Sequence, residues 1–163
     1  MHLLPGEVVP VDVQTEYEGF HGDTSATFFI GEPSEEARHV TRVAEGARAA
    51  GIAAVGVGVR LGEVGSAIEE FARSQGCSVV RDLGGHGIGR RMHEDPHVPH
   101  HAMRGGVRLR AGMCFTIEPM VNLGTGEVEF LDDGWTVLTR DRRLSAQFEH
   151  TILLTDEGPE ILT

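Results

Sequence analysis

The first thirty residues carry a period-two pattern of apolar and polar side chains. Val9, Val11 and Val13 alternate with Pro10, Asp12 and Gln14, which predicts a strand over Val8–Val13 after the Pro5-Gly6 turn. Asp12 then lies on the face opposite the valines. Pro10 has no N–H to offer a ladder, so this strand is expected at a sheet edge or with a bulge. Phe20–Ile30 reads as a second strand, with Tyr17-Glu18-Gly19 turning between the two. Such a hairpin would bring Asp12 and Asp23 together.

The period then changes. After Pro33-Ser34, Ala37, Val40, Ala44 and Ala47 recur at helical spacing, predicting a helix to about Ala54 that Gly56-Val57-Gly58 ends. Leu61, Val64, Ile68 and Phe71 mark the face of a second helix ending at Gln75-Gly76. Cys77–Arg81 reads as a strand entering a glycine-rich loop over 84–89. Glu94–Gly106, with Pro96, Pro99 and several histidines, reads as a loop. Arg110-Ala111-Gly112 is a turn. Cys114–Glu118 is a strand stopped by Pro119, and Trp135–Thr139 and Ala146–Leu154 complete a mostly antiparallel set. Strands and helices come in blocks, which favours an α+β fold over a wound parallel sheet.

The chain of 163 residues is expected to form a single domain, 1–163. Its net charge of −11 argues against binding nucleic acid. No apolar run is long enough to cross a bilayer, so no membrane role is expected. The N-terminal residues lack the pattern of a secretion signal, and a cytoplasmic location is the expectation. Every basic residue is an arginine, which excludes lysine Schiff bases and a phosphate-binding Walker lysine. Cys77 and Cys114 form no Cys-x-x-Cys pair and are read as reduced, buried thiols.

The candidate chemistry is metal binding. His86 follows a strand and is wrapped in glycines at 84, 85, 87 and 89, which lets another group approach the backbone closely. The segment lacks the helix and later acidic residue of a dinucleotide loop. Asp12, Asp23, Glu118 and Glu149 lie in or beside apolar strands, where a free carboxylate is costly. Separate arginine pairs would account for them one at a time. Convergence on two divalent cations accounts for all of them together, and suits metal-assisted hydrolysis. His93 follows the glycine-rich stretch and is placed to reach a substrate. His97, His100 and His101 read as a polar loop. His150 should point away from Glu149, whereas His21 should share the face of Asp23 and support it.

These motifs together resemble the type I methionine aminopeptidases of the pita-bread metallopeptidases. The resemblance runs through Phe20-His21-Gly22-Asp23-Thr24-Ser25, Gly85-His86-Gly87-Ile88-Gly89, Phe115-Thr116-Ile117-Glu118-Pro119-Met120, Asp133-Gly134-Trp135-Thr136-Val137 and Ser145-Ala146-Gln147-Phe148-Glu149-His150-Thr151. It implies a pita-bread fold, an antiparallel sheet with flanking helices. It also implies removal of the N-terminal methionine from nascent polypeptides, in the cytoplasm and at the ribosome, by hydroxide attack at a dinuclear centre. The implied cofactors are two divalent ions (Co, Mn, Fe, Zn or Mg), and the family's state is a monomer. By resemblance Asp12 holds one ion, Asp23 and Glu149 bridge both, and His86 with Glu118 hold the second. Glu118 is the implied general base, His93 contacts the substrate and steadies the tetrahedral intermediate, and Trp135 walls the methionine pocket.

The sequence departs from the family's pattern in several places. The family carries a sizeable segment ahead of the first ligand aspartate, with a further substrate histidine and part of the pocket. The chain is therefore expected to be N-terminally incomplete, with activity impaired. Met92 stands where an aromatic residue is usual, Gly84 where cysteine is common, and Pro10 where an N–H donor is usual. Two other readings stay open: a proline-directed peptidase of the same fold, and a non-catalytic scaffold that keeps the fold.

Overall fold

The computed structural model describes residues 2–163. β1 (Val8–Tyr17) and β2 (Phe20–Phe29) form a hairpin whose register runs from Val8↔Phe29 to Tyr17↔Phe20. The two connecting residues have positive φ, 51° at Glu18 and 77° at Gly19, the left-handed pair that matches the twist of a two-residue hairpin loop. α1 (Glu35–Ala53) starts where the Ser34 hydroxyl accepts the Ala37 N–H at 3.1 Å. α2 (Leu61–Ser74) starts where the Arg60 N–H donates to the Glu63 carboxylate at 2.9 Å. Both helices form as their periodicity predicts. No helix among the described residues is long and apolar enough to cross a membrane.

Ten further strands follow. They are β3 (Ser78–Val79), β4 (Gly84–Gly87), β5 (Glu94–Pro99), β6 (Cys114–Ile117), β7 (Met120–Asn122), β8 (Val128–Phe130), β9 (Val137–Thr139), β10 (Ser145–Gln147), β11 (Glu149–Thr155) and β12 (Gly158–Ile161). The main sheet has the order β1-β2-β11-β6-β4-β5, with β12 also paired to β11, and all its recorded pairings are antiparallel. β10-β7-β3 form a second sheet and β8-β9 a separate hairpin.

Several expectations are corrected. The segments expected as loops at 84–89 and 94–106 contain β4 and β5, paired to each other. Prolines are tolerated in β5 because it is the outer strand of the sheet, and Pro10 is tolerated in β1 for the same reason at the other edge. The strand expected over Cys77–Arg81 shrinks to Ser78–Val79. The strand expected to reach Glu118 ends at Ile117, and the chain resumes beyond Pro119 as β7. The single strand expected over Ala146–Leu154 is two, because Phe148 marks the step from the small sheet into the main one. Trp135 belongs to the turn before β9 rather than to the strand.

The core lies between the helices and one face of the main sheet. Val40, Ala44 and Ala47 of α1 and Val64 and Ile68 of α2 cluster with Phe115, Ile117, Ile152 and Leu154, all essentially inaccessible. Each valine, leucine, isoleucine or phenylalanine buried this way contributes roughly 1.5–3 kcal/mol. The register places His150 opposite both Ile117 and Thr24, and Thr24 opposite Val13. The face that packs on the helices therefore continues across β2 and β1. There it is uncovered: Val11, Val13 and Phe28 are all exposed.

Candidate metal centre

The opposite face of the same sheet collects the acids. Asp12 pairs with Ser25, Glu149 pairs with Ser25 from the other side, and Asp23 is two residues away on the same face. Thr151 pairs with Thr116, and Glu118 follows two residues later on that side. In spatial order, β1, β2, β11, β6 and β4 thus supply Asp12, Asp23, Glu149, Glu118 and His86, one from each strand or its immediate end. A period of two is what allows this, because a slip of one residue would turn a strand's side chains to the opposite face.

His86 reaches the acids because β4 runs unusually close to its neighbours. A methyl on Gly85 would collide with the Thr116 carbonyl, and one on Gly87 with the Asp95 carbonyl. Donor atoms of Asp23, His86 and Glu149 lie within 4.8 Å of one another. The His86 Nε2 is 3.5 Å from Glu118 Oε1 and 3.7 Å from Asp23 Oδ2. Its Nδ1 lies 3.0 Å from the Gly87 carbonyl, an acceptor, so Nδ1 carries the proton and Nε2 keeps its lone pair for a cation. Asp12, on the exposed edge strand, adjoins Asp23.

The electrostatics of this cluster are unfavourable without cations. Glu149 and Asp23 are 1% and 2% exposed, and Asp23 Oδ1 and Glu149 Oε1 are buried with no hydrogen-bond partner among the described residues. Burial, followed by the charges of Glu118, Asp23 and Asp12, pushes Glu149 up to about 9. Burial likewise pushes Glu118 up to about 7, with Asp23 and Asp12 adding to the rise and the Thr116 hydrogen bond opposing it. Asp12 is raised by burial and by its contact with Asp23. His86 is lowered by burial, which favours the neutral imidazole. Orphaned carboxylate oxygens facing a neutral imidazole nitrogen are the donor set of a hard divalent cation.

Around these five stand residues that the motif reading passed over. The Gln14 amide donates to Asp23 Oδ2 at 3.3 Å and the Gln147 amide to Glu118 Oε2 at 3.3 Å. The Thr116 hydroxyl donates to Glu118 Oε1 at 2.8 Å. The Thr151 hydroxyl donates to the Asp23 carbonyl at 2.8 Å. Strand alternation signals each of them, since Gln14 is two residues from Asp12, Thr116 and Gln147 are each two from a clustered glutamate, and Thr151 pairs with Thr116.

The other histidines divide as follows. The ring of His93 meets that of His86 edge-on with centroids 4.3 Å apart. His21 shares the strand face of Asp23 and its N–H donates to the Gly89 carbonyl. His150 lies on the opposite face from Glu149, as alternation predicts. His97 pairs with His86 across β4–β5, and His100 is 1% exposed, so the polar loop expected over 97–101 is partly core. Burial lowers His100 to about 3. Trp135 is 88% exposed in the β8–β9 turn, so it walls no closed pocket in this chain. Cys77 and Cys114 are both free, the first buried and the second half-buried.

Residues 2–156 match the model of Metallopeptidase family M24. The chain belongs to metallopeptidase family M24. It is 51% identical over 162 residues to methionine aminopeptidase B of Synechocystis sp., covering 99% of this chain and 59% of that protein. It is 48% identical to the methionine aminopeptidase of Escherichia coli strain K12, covering 99% of this chain and 61% of the relative. The chain spans about three-fifths of the length of the curated relatives it matches. Among solved structures, the methionine aminopeptidase from Rickettsia prowazekii superposes with a TM-score of 0.95 at 42% identity, over 98% of this chain and 65% of that one. The prolidase from Pyrococcus furiosus superposes at 0.75 with 23% identity, over 96% of this chain and 41% of that one, and shares the fold alone. The M24 fold here is the pita-bread fold, an antiparallel sheet with two helices on one face. Membership of M24 implies divalent metal ions, and the orphaned acids and the free His86 Nε2 fit them.

Proposed function

We propose that this chain carries the catalytic centre of a methionine aminopeptidase, which removes the first methionine of nascent polypeptides in the cytoplasm. The observation that carries the reading is the row of five candidate ligands, one from each of five adjacent strands or its immediate end, on the face away from the helices. The similarity to curated methionine aminopeptidases over the whole described chain supports the choice of substrate.

Two divalent ions would be held, one on Asp12 and the other on His86 and Glu118, with Asp23 and Glu149 shared between them. Bound there, the ions supply polarisation of the scissile carbonyl and a nucleophile at neutral pH. The protein does the rest. Glu118, with Thr116 and Gln147 each holding one of its oxygens, is placed to take up and release a proton beside the ions. His93, edge-on to His86 and exposed, is placed to donate to an oxygen of the substrate. Trp135 offers an indole face to the methionine side chain once another surface closes over it.

The test pairs calorimetric titration of Mn²⁺ with a peptide panel. The expected result is uptake of two Mn²⁺ per chain and cleavage of Met-Ala peptides in preference to X-Pro peptides. Cleavage of X-Pro peptides alone would overturn the substrate assignment in favour of a proline-directed peptidase. Absence of Mn²⁺ uptake would overturn the metal centre and favour a scaffold.

A further inference from the structure

A buried side chain that the chemistry above does not use sits directly behind Glu118. His100 follows the last residue of β5, is 1% exposed, and its Nε2 accepts the backbone N–H of Glu118 at 3.3 Å. That N–H lies beyond the regular ladder. β4 pairs with β6 only at Gly87↔Phe115, and β6 ends at Ile117. Pro119 follows, so the chain can offer no N–H of its own at the next position. The imidazole thus takes the place of a strand carbonyl where the sheet gives out.

The geometry fixes the tautomer. A nitrogen that accepts an N–H carries no proton, so the His100 proton is on Nδ1. Nδ1 is buried and has no partner among the described residues. A buried imidazole with one side unsatisfied is a costly way to fill space, since an unpaired buried polar group costs about 1–3 kcal/mol. Its one hydrogen bond goes to the backbone of the residue whose two carboxylate oxygens are already held by Thr116 and Gln147. Glu118 is therefore gripped at three points, both oxygens and its own amide, and His100 supplies the grip on the main chain.

We propose that His100 is a positioning residue for Glu118: by accepting the Glu118 amide it sets the angle at which the chain leaves β6, and so delivers the Glu118 carboxylate to the metal centre. This rests on the metal-centre reading given above. The group that matters is an acceptor at this point, not an imidazole as such. Asparagine, whose side-chain carbonyl can occupy a similar place, should substitute, and leucine, of similar bulk without an acceptor, should not.

The test uses the full chain with His100→Leu and His100→Asn. Mn²⁺ affinity is measured by calorimetry, and hydrogen exchange at the Glu118 amide is measured in the metal-free protein. The leucine variant is expected to bind Mn²⁺ about tenfold to a hundredfold more weakly and to exchange the Glu118 amide at least about tenfold faster. The asparagine variant is expected to keep both within about threefold, a difference of roughly 0.65 kcal/mol. A purely structural role would lower the melting temperature of either variant and leave the affinity per folded chain unchanged; that result overturns the proposal. An asparagine variant as weak as leucine overturns it too. If the leucine variant does not fold, the asparagine variant decides: retained affinity supports the proposal and a tenfold loss overturns it. Failure of the unaltered chain to bind Mn²⁺ is a different outcome, which sinks the metal centre itself and this role with it.

Discussion

The Thr116 hydroxyl joins His86 to Glu118, accepting the His86 amide at 3.0 Å and donating to Glu118 Oε1 at 2.8 Å. One side chain thus sets the spacing of two candidate ligands that come from neighbouring strands. Thr116→Val keeps the shape and removes both bonds. It is expected to weaken Mn²⁺ binding about tenfold or more, and to cost about 1–3 kcal/mol of stability because the His86 amide is left unpaired. Titration calorimetry and denaturant unfolding check the two parts separately. Unchanged affinity would show that Glu118 needs no help from Thr116.

Stability of the metal-free chain should fall as pH rises from about 6.5 to about 9. Glu118 and Glu149 keep their protons in the folded chain up to about 7 and about 9, against an ordinary value of 4.5 for each. Over that range the folded state binds more protons than the unfolded one, so raising the pH favours unfolding, and the loss is complete above about 9. Below about 6.5 the lowered values of His86 and His100 act in the opposite sense, since the unfolded chain then takes up protons that the fold refuses. Cations reverse the trend above 6.5, because they bind the deprotonated ligands and displace those protons. Melting curves in EDTA and in Mn²⁺ at several pH values should therefore diverge as pH rises. Parallel curves would contradict the assignment.

Glu149→Gln should separate stability from metal binding. The amide resembles the protonated acid that the metal-free fold prefers, and it needs no proton from solvent at pH 8. The variant is expected to melt higher than the unaltered chain in EDTA and to lose the stabilisation by Mn²⁺. A lower melting point in EDTA would mean that the carboxylate repulsion is relieved in some other way.

Gly85→Ala tests the close approach of β4 to β6. The added methyl would collide with the Thr116 carbonyl, so β4 must move outward and take His86 with it. Overpacking of this kind costs about 1–3 kcal/mol, and Mn²⁺ affinity should drop alongside stability. A stable variant that binds normally would show that the glycine is dispensable here.

Much of this was legible in the sequence because the clustered acids are placed by strand alternation. The β1–β2 hairpin, both helices and the shared face of Asp12 and Asp23 follow from local periodicity. β4 and β5 were hidden because their strand character is tertiary: glycines and prolines have no preference for a ladder, and pairing across β6-β4-β5 imposes it. The step at Phe148 was hidden for a similar reason, since Ala146 and Glu149 serve different sheets while the chain between them stays extended. Motif matching selected the candidate ligands and passed over Gln14, Thr116 and Gln147, which hydrogen-bond to Asp23 or Glu118. Trp135 shows a different limit, because a motif position says nothing of exposure, and the indole is solvent-exposed in the turn before β9.

Among the described residues β1 is paired with β2 alone, and Pro10 has no amide to protect, yet this outer strand carries Asp12. Strands held on one side fray first. A cation shared by Asp12 and Asp23 would act as a rivet across the last seam of the sheet. Cutting by a protease within 8–17 would then report occupancy of the centre: rapid when it is empty, slow when it is filled.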